Sequence, residues 1–137
     1  MTQALDQSIA ELLHASRDDE TILGLGAAVV DRIFGFHAQQ AVEKLLKALI
    51  GAHGQRFEHT HDLGLLMRHA EALGEYFEIK DALLKSLSAY AGIWRYQDPE
   101  FFSVAERDEL SSLVAQIKVQ TLNRLFTLRP GVDWNAI

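Results

Sequence analysis

The sequence predicts an all-α protein, an antiparallel up-and-down bundle of four or five helices. Its only two prolines, Pro99 and Pro130, lie where helical patterns stop. The long stretches without proline are rich in Ala, Leu, Glu, Gln and Lys, which are strong helix formers. Apolar residues recur in these stretches every three or four positions, so each helix has one face to bury, and short connections favour antiparallel neighbours.

Composition narrows the class of protein further. A chain of 137 residues is the usual size of one domain, so we expect a single domain over residues 1–137. The absence of cysteine excludes a disulfide framework, a thiolate zinc site and a cysteine nucleophile. A net charge of −6 argues against charge-driven binding to duplex DNA or to an anionic membrane.

The sequence also gives an expectation about location. The longest uncharged, largely apolar run, residues 21–30, is far shorter than the roughly 20 residues of a membrane span. The first residues, MTQALDQ, lack the basic and apolar regions of a signal peptide. We therefore expect a cytoplasmic protein that does not associate with membranes.

The first two helices are predicted from their apolar spacing. The first runs from Gln3 to about Arg17, and its buried stripe is Leu5, Ile9, Leu12 and Leu13. Gly24 and Gly26 weaken any helix that continues beyond it. The second helix, from Phe36 to about Ala52, has the strongest pattern. Its wide apolar arc consists of Ala41, Val42, Leu45, Leu46, Ala48 and Leu49.

Three further helices follow. One spans about His61 to Leu73, with Thr60 as its predicted N-cap and Gly74 just beyond its end. The next spans about Ile79 to Tyr96 and is broken by Asp98-Pro99. The last begins at a capping-box pattern, Ser103-Val-Ala-Glu106, and ends at Pro130. We expect the tail after about residue 130 to be loosely ordered.

Basic residues and histidines concentrate in one part of the chain. Residues 36–69 contain four basic and three acidic residues, a charge of +1, so the other residues carry −7. Five of the six histidines also lie there: His37, His53, His59, His61 and His69. This pattern is typical either of an anion-binding edge or of a solvated loop with no ligand.

The sequence lacks the motifs that are typical of metal, cofactor and nucleophile sites. Glu58, His59, His61 and His53 offer metal-ligand atoms, but their spacing matches no zinc signature, so we expect no metal. There is no Gly-x-Ser-x-Gly motif and no glycine fingerprint for a phosphate or dinucleotide, so no cofactor is expected either.

The strongest motif is FHAQQAVEKLLKALI, which begins at Phe36. It resembles the signature helix of HEPN domains, small helical domains of higher eukaryotes and prokaryotes associated with nucleotide binding. The positions that match are Gln39, Gln40, Ala41, Glu43, Lys44, Lys47 and Ala48. Thr60-His61-Asp62-Leu63 resembles the family's third-helix start, and Tyr90 with Arg95-Tyr96 resembles the end of its fourth helix. Family spacing places the first helix's end near Val29–Arg32, whereas the glycine breakers place it earlier.

The resemblance implies a homodimer with a cleft that gathers polar residues of the second and third helices. Many members act with a minimal nucleotidyltransferase in toxin–antitoxin pairs, and others bind nucleotides. On this reading the ligand is a nucleotide or single-stranded RNA. The residues expected to contact its phosphate are Lys44, Lys47, Arg56, His61 and Arg95. Gln40 and Tyr96 are expected to contact its base or ribose.

Two alternatives remain open at this point. Some family members are metal-independent RNases with an arginine followed after four to six residues by a histidine, near the end of the fourth helix. No histidine follows Arg95 in that range, so we lean against an enzyme. The same spacing does occur at Arg56 and His61, in the connection before the third helix. The other alternative is a non-catalytic dimerisation or protein-docking module.

Two physical expectations accompany this interpretation. The wide apolar arc of the second helix predicts a symmetric dimer, because it is broader than one bundle seam requires. If His53, His59 and His61 face one cleft together with Lys44, Lys47 and Arg56, nucleotide affinity should rise as pH falls from 8 towards 6.

Overall fold

A computed structural model describes residues 2–88, 90 and 104–137, and every regular element among them is helical. The predicted all-α bundle is confirmed. Its helices are α1 (Thr2–Leu23), α2 (Asp31–Ala52), α3 (Leu63–Ala72), α4 (Asp81–Ser88) and α5 (Val104–Leu128). Single 3₁₀ turns occur at Gly26–Ala28 and Trp134–Ala136. Within the described residues, no helix combines the length and apolar character needed to cross a membrane.

The connection between α1 and α2 settles where the first helix ends. Helix α1 continues beyond the predicted Arg17 to Leu23, and Gly26 then adopts a φ of +59°, a conformation that glycine adopts without strain. The glycine breakers therefore decide this end, and the alternative end near Val29–Arg32 is wrong.

Helix α2 begins at Asp31 rather than at the predicted Phe36, because a residue of α5 fixes its first turn. Arg107 Nε donates to Asp31 Oδ1 at 2.7 Å, and its other nitrogens donate to the carbonyl oxygens of Gly26 at 3.1 Å and Val29 at 2.6 Å. The acidic Asp31 also suits the positive end of the helix dipole.

Helix α2 lies at the centre of the molecule. It packs against α1, α3, α4 and α5, and its residues from Ala38 to Ala52 are buried except for Gln40 and Lys44, which are partly buried. Two glycines allow close approach. A Cβ on Gly35 would lie 2.5 Å from the Tyr90 ring, and one on Gly51 would lie 2.9 Å from Ile9. The apolar arc of α2 is thus covered by its own chain and does not remain available for a dimer partner.

Side-chain contacts show how the helices run. The first turns of α1 meet the last turn of α2, since Ile9 packs on Gly51, so this pair is antiparallel. Arg107 binds Asp31, and Thr121 donates to the Leu45 carbonyl at 3.3 Å. Helix α5 therefore runs in the same direction as α2.

The ends of α3 follow the expected chemistry with one change. The N-cap is Asp62 rather than Thr60, because the Asp62 carboxylate accepts the Leu65 N–H at 3.2 Å. The Thr60 hydroxyl instead accepts the Asp62 N–H at 3.1 Å. At the other end, Gly74 takes a φ of +91° just beyond the helix, as predicted.

Part of the predicted fourth helix lies outside the described residues. Helix α4 occupies Asp81–Ser88, within the predicted span from Ile79 to Tyr96, and Tyr90 beyond it is buried. Trp94, Arg95, Tyr96 and the Ser103 cap are among the residues that the structure does not describe.

The C-terminal tail differs from the loosely ordered segment that the sequence predicts. Trp134 is fully buried in the core, and its Nε1 donates to the Arg129 carbonyl at 3.1 Å. Arg17 of α1 donates to the Asn135 carbonyl at 2.9 Å. Burial of the large indole outweighs the conformational entropy lost by ordering a short tail.

Replacing Trp134 by alanine should therefore destabilise the whole domain. We expect the free energy of unfolding to fall by about 3–5 kcal/mol, as for other buried tryptophans, measured by urea denaturation followed by circular dichroism. Asn135→Ala, an exposed change in the same turn, should alter it by less than about 0.5 kcal/mol. Equal stabilities of the two variants would contradict the packed tail.

Candidate functional site

The loop between α2 and α3, residues 53–62, carries most of the exposed arginine and histidine side chains of residues 36–69. Its path is set at Gly54, whose φ of +77° turns the chain away from the end of α2. Phe57 is partly buried, whereas Arg56, His59 and His61 are exposed. We refer to residues 53–62 as the α2–α3 loop.

One side of this loop borders a cavity of about 550 Å³, which we call the loop cavity. Three parts of the chain that are distant in sequence line it: the first turns of α1, the α2–α3 loop and the residue after α5. The lining residues are Ala4, Leu5, Ser8, Gly54, Arg56, Phe57, His59 and Arg129. The volume lies within the usual range of small-molecule sites.

The lining of the loop cavity combines positive charge with an aromatic ring. Arg56 presents an exposed guanidinium, and Arg129 presents a second one that is also paired with Asp6 of α1. The Phe57 and His59 rings meet edge-on with centroids 6.4 Å apart. Guanidinium groups bind phosphate through paired N–H donors, and aromatic rings stack on bases. The cavity therefore has the chemistry to hold an anionic, aromatic ligand.

A second group of polar residues surrounds the buried carboxylate of Glu43 on α2. His61 Nδ1 lies 2.8 Å from Glu43 Oε1, and Gln39 Nε2 donates to the same oxygen at 3.2 Å. Lys47 Nζ lies 3.3 Å from Glu43 Oε2. A buried carboxylate needs such donors, because its desolvation is otherwise costly.

Lys47 joins this group to the loop cavity. Its ammonium lies 5.8 Å from the centroid of the Phe57 ring, and Phe57 lines the cavity. Glu43 and the loop cavity are therefore neighbours across one lysine side chain.

Two other buried carboxylates are satisfied in the same way. Asp19 of α1 lies 2.8 Å from His37 Nδ1 and 2.6 Å from Lys44 Nζ. Glu75, after α3, lies 3.0 Å from His53 Nε2 and 2.9 Å from Arg124 Nε, and Gln120 donates to its other oxygen at 3.2 Å. Each of these carboxylates thus pairs with one histidine and one cation.

The histidines that cluster in the sequence consequently separate in space. His37, His53 and His61 each face a different buried carboxylate, and His69 Nε2 lies 2.9 Å from Gln55 Oε1. Only His59 among them lines the loop cavity with Arg56. The pH-dependent affinity is conditional on a cleft shared by these histidines, Lys44, Lys47 and Arg56. In the described residues His53, His61 and Lys44 instead pair with three different buried acids.

The predicted ligand contacts are distributed among these groups. Gln40 donates to Gln39 Oε1 at 2.7 Å, beside the Glu43 group that holds Lys47 and His61. The Lys44 ammonium binds the Asp19 carboxylate, and Arg56 lines the loop cavity. Arg95 and Tyr96 fall outside the described residues.

The same distribution bears on the RNase alternative. Arg56 and His61 would have to converge on one cleft, yet Arg56 lines the loop cavity while the His61 ring is held against Glu43. No observation in the described residues favours a shared catalytic site for this pair.

Sequence reasoning missed several residues of the loop cavity. Ser8 and Arg129 come from opposite ends of the chain, and no local pattern links them to residues 54–59. Glu43 is different, because the sequence predicts its i, i+4 pair with Lys47, which the structure confirms, but not its contact with His61. The available signal was the spacing of Glu43 from Gln39 and Lys47, four residues away on either side, which places three polar side chains on one helix face.

Residues 32–119 match the family model described as the HEPN domain. The matched span covers more than half of the chain, from the first turn of α2 into α5, and it includes the whole α2–α3 loop. Comparison with curated proteins and with solved structures gave no significant match.

Glu75 provides a test of these buried pairs through pH. Burial raises the pKa of Glu75, but hydrogen bonds from His53, Gln120 and Arg124 and the charge of Arg124 outweigh it, so the pKa lies below its ordinary value. Its stabilisation is therefore fully present above the unfolded-state pKa of about 4.3 and is lost as pH falls through the lowered folded-state pKa.

We expect Glu75→Gln to lower the free energy of unfolding by about 1.5–3 kcal/mol at pH 7. The difference from wild type should shrink steadily as pH is lowered from 5 to 3, measured by urea denaturation at each pH. Glu71→Gln, an exposed change on α3, serves as the control and should stay near wild type. A Glu75→Gln effect that is the same at all pH values would exclude an ionic role for this carboxylate.

Proposed function

Because the chain belongs to the HEPN domain family, we propose that it binds a nucleotide, free or within single-stranded RNA, in the loop cavity without cleaving it. One observation carries this proposal: two arginines, a histidine, a hydroxyl and an aromatic ring line the same cavity of about 550 Å³. Family membership makes a nucleotide- or RNA-related ligand the relevant class, and the cavity supplies matching chemistry.

The phosphate is assigned to the arginine side of the cavity. Arg56 is exposed and can turn its guanidinium towards a ligand, and Arg129 adds a second cation whose position is fixed by Asp6. A phosphate between two guanidinium groups receives several charge-assisted hydrogen bonds. The base is assigned to Phe57, whose partly buried ring offers a stacking surface.

The charge of the surroundings supports an anionic ligand. The chain as a whole carries −6, yet residues 36–69 carry +1, and this segment supplies four of the cavity's lining residues. Lys44 and Lys47 are excluded from the proposed phosphate contact, because each ammonium is already bound to a buried carboxylate. Arg95 and Tyr96 remain predictions from the sequence.

Replacing Arg56 by alanine tests this assignment. Loss of a charge-assisted hydrogen bond should weaken ATP binding at least tenfold, measured by titration calorimetry at low salt. The matched control is Arg68→Ala, which removes an exposed arginine of α3 that does not line the cavity. Its affinity should remain within twofold of wild type.

Three outcomes would count against the loop cavity. They are no ATP binding by wild type at millimolar concentration, equal affinities of wild type and Arg56→Ala, and equal losses in both arginine variants. A short single-stranded RNA that competes with ATP would extend the proposal to RNA. Cleavage of that RNA would overturn the non-catalytic assignment.

We also propose that the chain forms a homodimer. Family resemblance supports this proposal, and since α2 is covered, the contact face must lie elsewhere. The exposed face of α5 is the best candidate in the described residues, because it carries no charge from residue 110 to residue 117 and presents Val119 at 59% exposure. Two copies of an acidic chain repel each other least where their surfaces are uncharged.

Light scattering checks the dimer and its face together. Wild type should give a mass of about twice the 15.4 kDa of the single chain at micromolar concentration. Val119→Glu should shift the equilibrium towards the single-chain mass, because two glutamates would meet across a symmetric contact. Val30→Glu, equally exposed before α2, should remain dimeric. A monomeric wild type would contradict the dimer, and a dimeric Val119→Glu would contradict the α5 face.

A protein partner is proposed from the family resemblance alone. It is a minimal nucleotidyltransferase that acts with this chain in a toxin–antitoxin type pair. A nucleotidyltransferase encoded next to this chain, and its co-elution with the chain after co-expression, would support the pair.

A further inference from the structure

Arg129 is the more firmly held of the two arginines in the loop cavity. Its side chain is 11% exposed, and its Nε donates to the carboxylate of Asp6, which is 23% exposed. The Arg129 main chain is held as well, because its carbonyl accepts the Trp134 indole N–H. On the loop side, a Cβ on Gly54 would lie 4.0 Å from Arg129 Nη1. A ligand that enters the cavity therefore meets Arg129 together with Asp6.

Asp6 belongs to the part of α1 that forms one wall of the loop cavity. Ala4, Leu5 and Ser8 of the same turns line that wall. A carboxylate and a phosphate that bind one planar guanidinium are only a few ångströms apart, since both contact its edge. Asp6 thus holds Arg129 in place and also repels an anion that approaches it.

The cationic side chains that line the cavity are therefore partly neutralised. Arg56 and Arg129 each carry a positive charge, and Asp6 offsets one of them. Counted with His59 neutral, the lining residues and the acid bound to them carry about one net positive charge.

The charges just outside the cavity do not add to this positive charge. Lys47, whose ammonium lies 5.8 Å from the Phe57 ring centroid, is paired with the Glu43 carboxylate. Glu58 follows Phe57 in the loop and adds an exposed negative charge. Beyond the arginines and the histidine, the Ser8 hydroxyl is the polar side-chain group among the described lining residues.

This charge balance suits a ligand with one phosphate. A phosphodiester carries a single negative charge, which Arg56 can balance while Arg129 donates further hydrogen bonds. A triphosphate brings two more ionised phosphates, and the described lining residues offer no third cation for them. These groups would lie near Asp6 or against the apolar wall, where a charge without a partner is costly.

We propose that Asp6 makes the loop cavity selective for ligands with a single phosphate over nucleoside polyphosphates. The favoured class comprises nucleoside monophosphates and the phosphodiester links of a single strand. Arg129 contacts the phosphate, and Asp6 is a positioning residue that acts through Arg129 by fixing its guanidinium and offsetting its charge. The inference rests on the proposed function and adds the number of phosphates that the site accepts.

Calorimetric titration of the full chain with AMP and with ATP tests this selectivity. Divalent cations are omitted, because they would neutralise the polyphosphate. Wild type should bind AMP about three- to tenfold more tightly than ATP. The dinucleotide ApA, whose single phosphate is a diester, separates the two sources of the ligand. If ApA binds more tightly than AMP, the ligand is a strand, and the reverse order indicates a free nucleotide.

Asp6→Asn tests the role of the carboxylate. The amide oxygen can still accept the Arg129 Nε–H, so the substitution removes the charge and keeps the contact. ATP affinity should rise about three- to tenfold and AMP affinity less, so that the preference is lost. Asp18→Asn is the matched control, because it removes the same charge from an exposed position of α1 away from the cavity. It should keep the wild-type ratio.

A purely structural role of Asp6 predicts a different result, in which Asp6→Asn weakens both nucleotides by the same factor. If Asp6→Asn fails to fold, the AMP-to-ATP ratio of wild type and its retention in Asp6→Glu, which keeps the charge, decide the question. An AMP-to-ATP ratio that is lost in Asp6→Glu would then overturn the assignment to charge.

The outcomes separate this inference from the proposed function. If wild type binds ATP as tightly as AMP or more tightly, and Arg56→Ala still weakens both, the selectivity is overturned and the loop cavity stands. An unchanged ratio in Asp6→Asn, or the same change in Asp18→Asn, would overturn the role of Asp6. Absence of binding for both nucleotides would overturn the loop cavity and its selectivity together.

Discussion

The near-complete burial of α2 from Ala38 to Ala52 is the constraint on which the rest of this structure depends. Four other helices pack on it, and glycines at positions 35 and 51 admit the Tyr90 ring and Ile9 close to its backbone. Glu43 and Lys47 lie in the part of α2 that has almost no contact with solvent. Glu43 and Lys47 must therefore satisfy each other and recruit partners from the loop that follows, because a lone buried charge would be too costly.

This requirement explains what the histidines do. Asp19, Glu43 and Glu75 are all buried, and each takes a histidine together with a lysine or arginine. The histidines and lysines that lie close together in the sequence are thus divided among three separate groups of ion pairs in the structure. The cationic surface left for a ligand is the smaller one formed by Arg56, His59 and Arg129 at the loop cavity.

Stability and the candidate site are connected through the same residues. Glu43 binds His61 of the α2–α3 loop. Lys47, which also binds Glu43, lies over the Phe57 ring on the cavity wall. Arg129 belongs both to the cavity and to the packing of the chain ends, since its carbonyl accepts the Trp134 indole N–H and its side chain binds Asp6. A rigid core therefore holds the Phe57 and His61 side chains of this loop in place, which lowers the entropy cost of binding.

The sequence by itself determined the helical class, the approximate position of each of the five described helices, and the family. Apolar periodicity and the motif from Gln39 to Ala48 are local properties of the chain, so they need no tertiary structure. The ends of α1 and α3 also followed local chemistry, through the glycines at positions 26 and 74. Only the tertiary structure decided which charged groups remain available to a ligand. Ser8, Arg56 and Arg129 meet at one cavity, and Lys44 and His53 are withdrawn onto buried acids. These pairings join residues far apart in the chain, and their energies depend on burial. Apolar periodicity predicts which helix faces are buried, but it does not predict which partner an individual charged side chain takes.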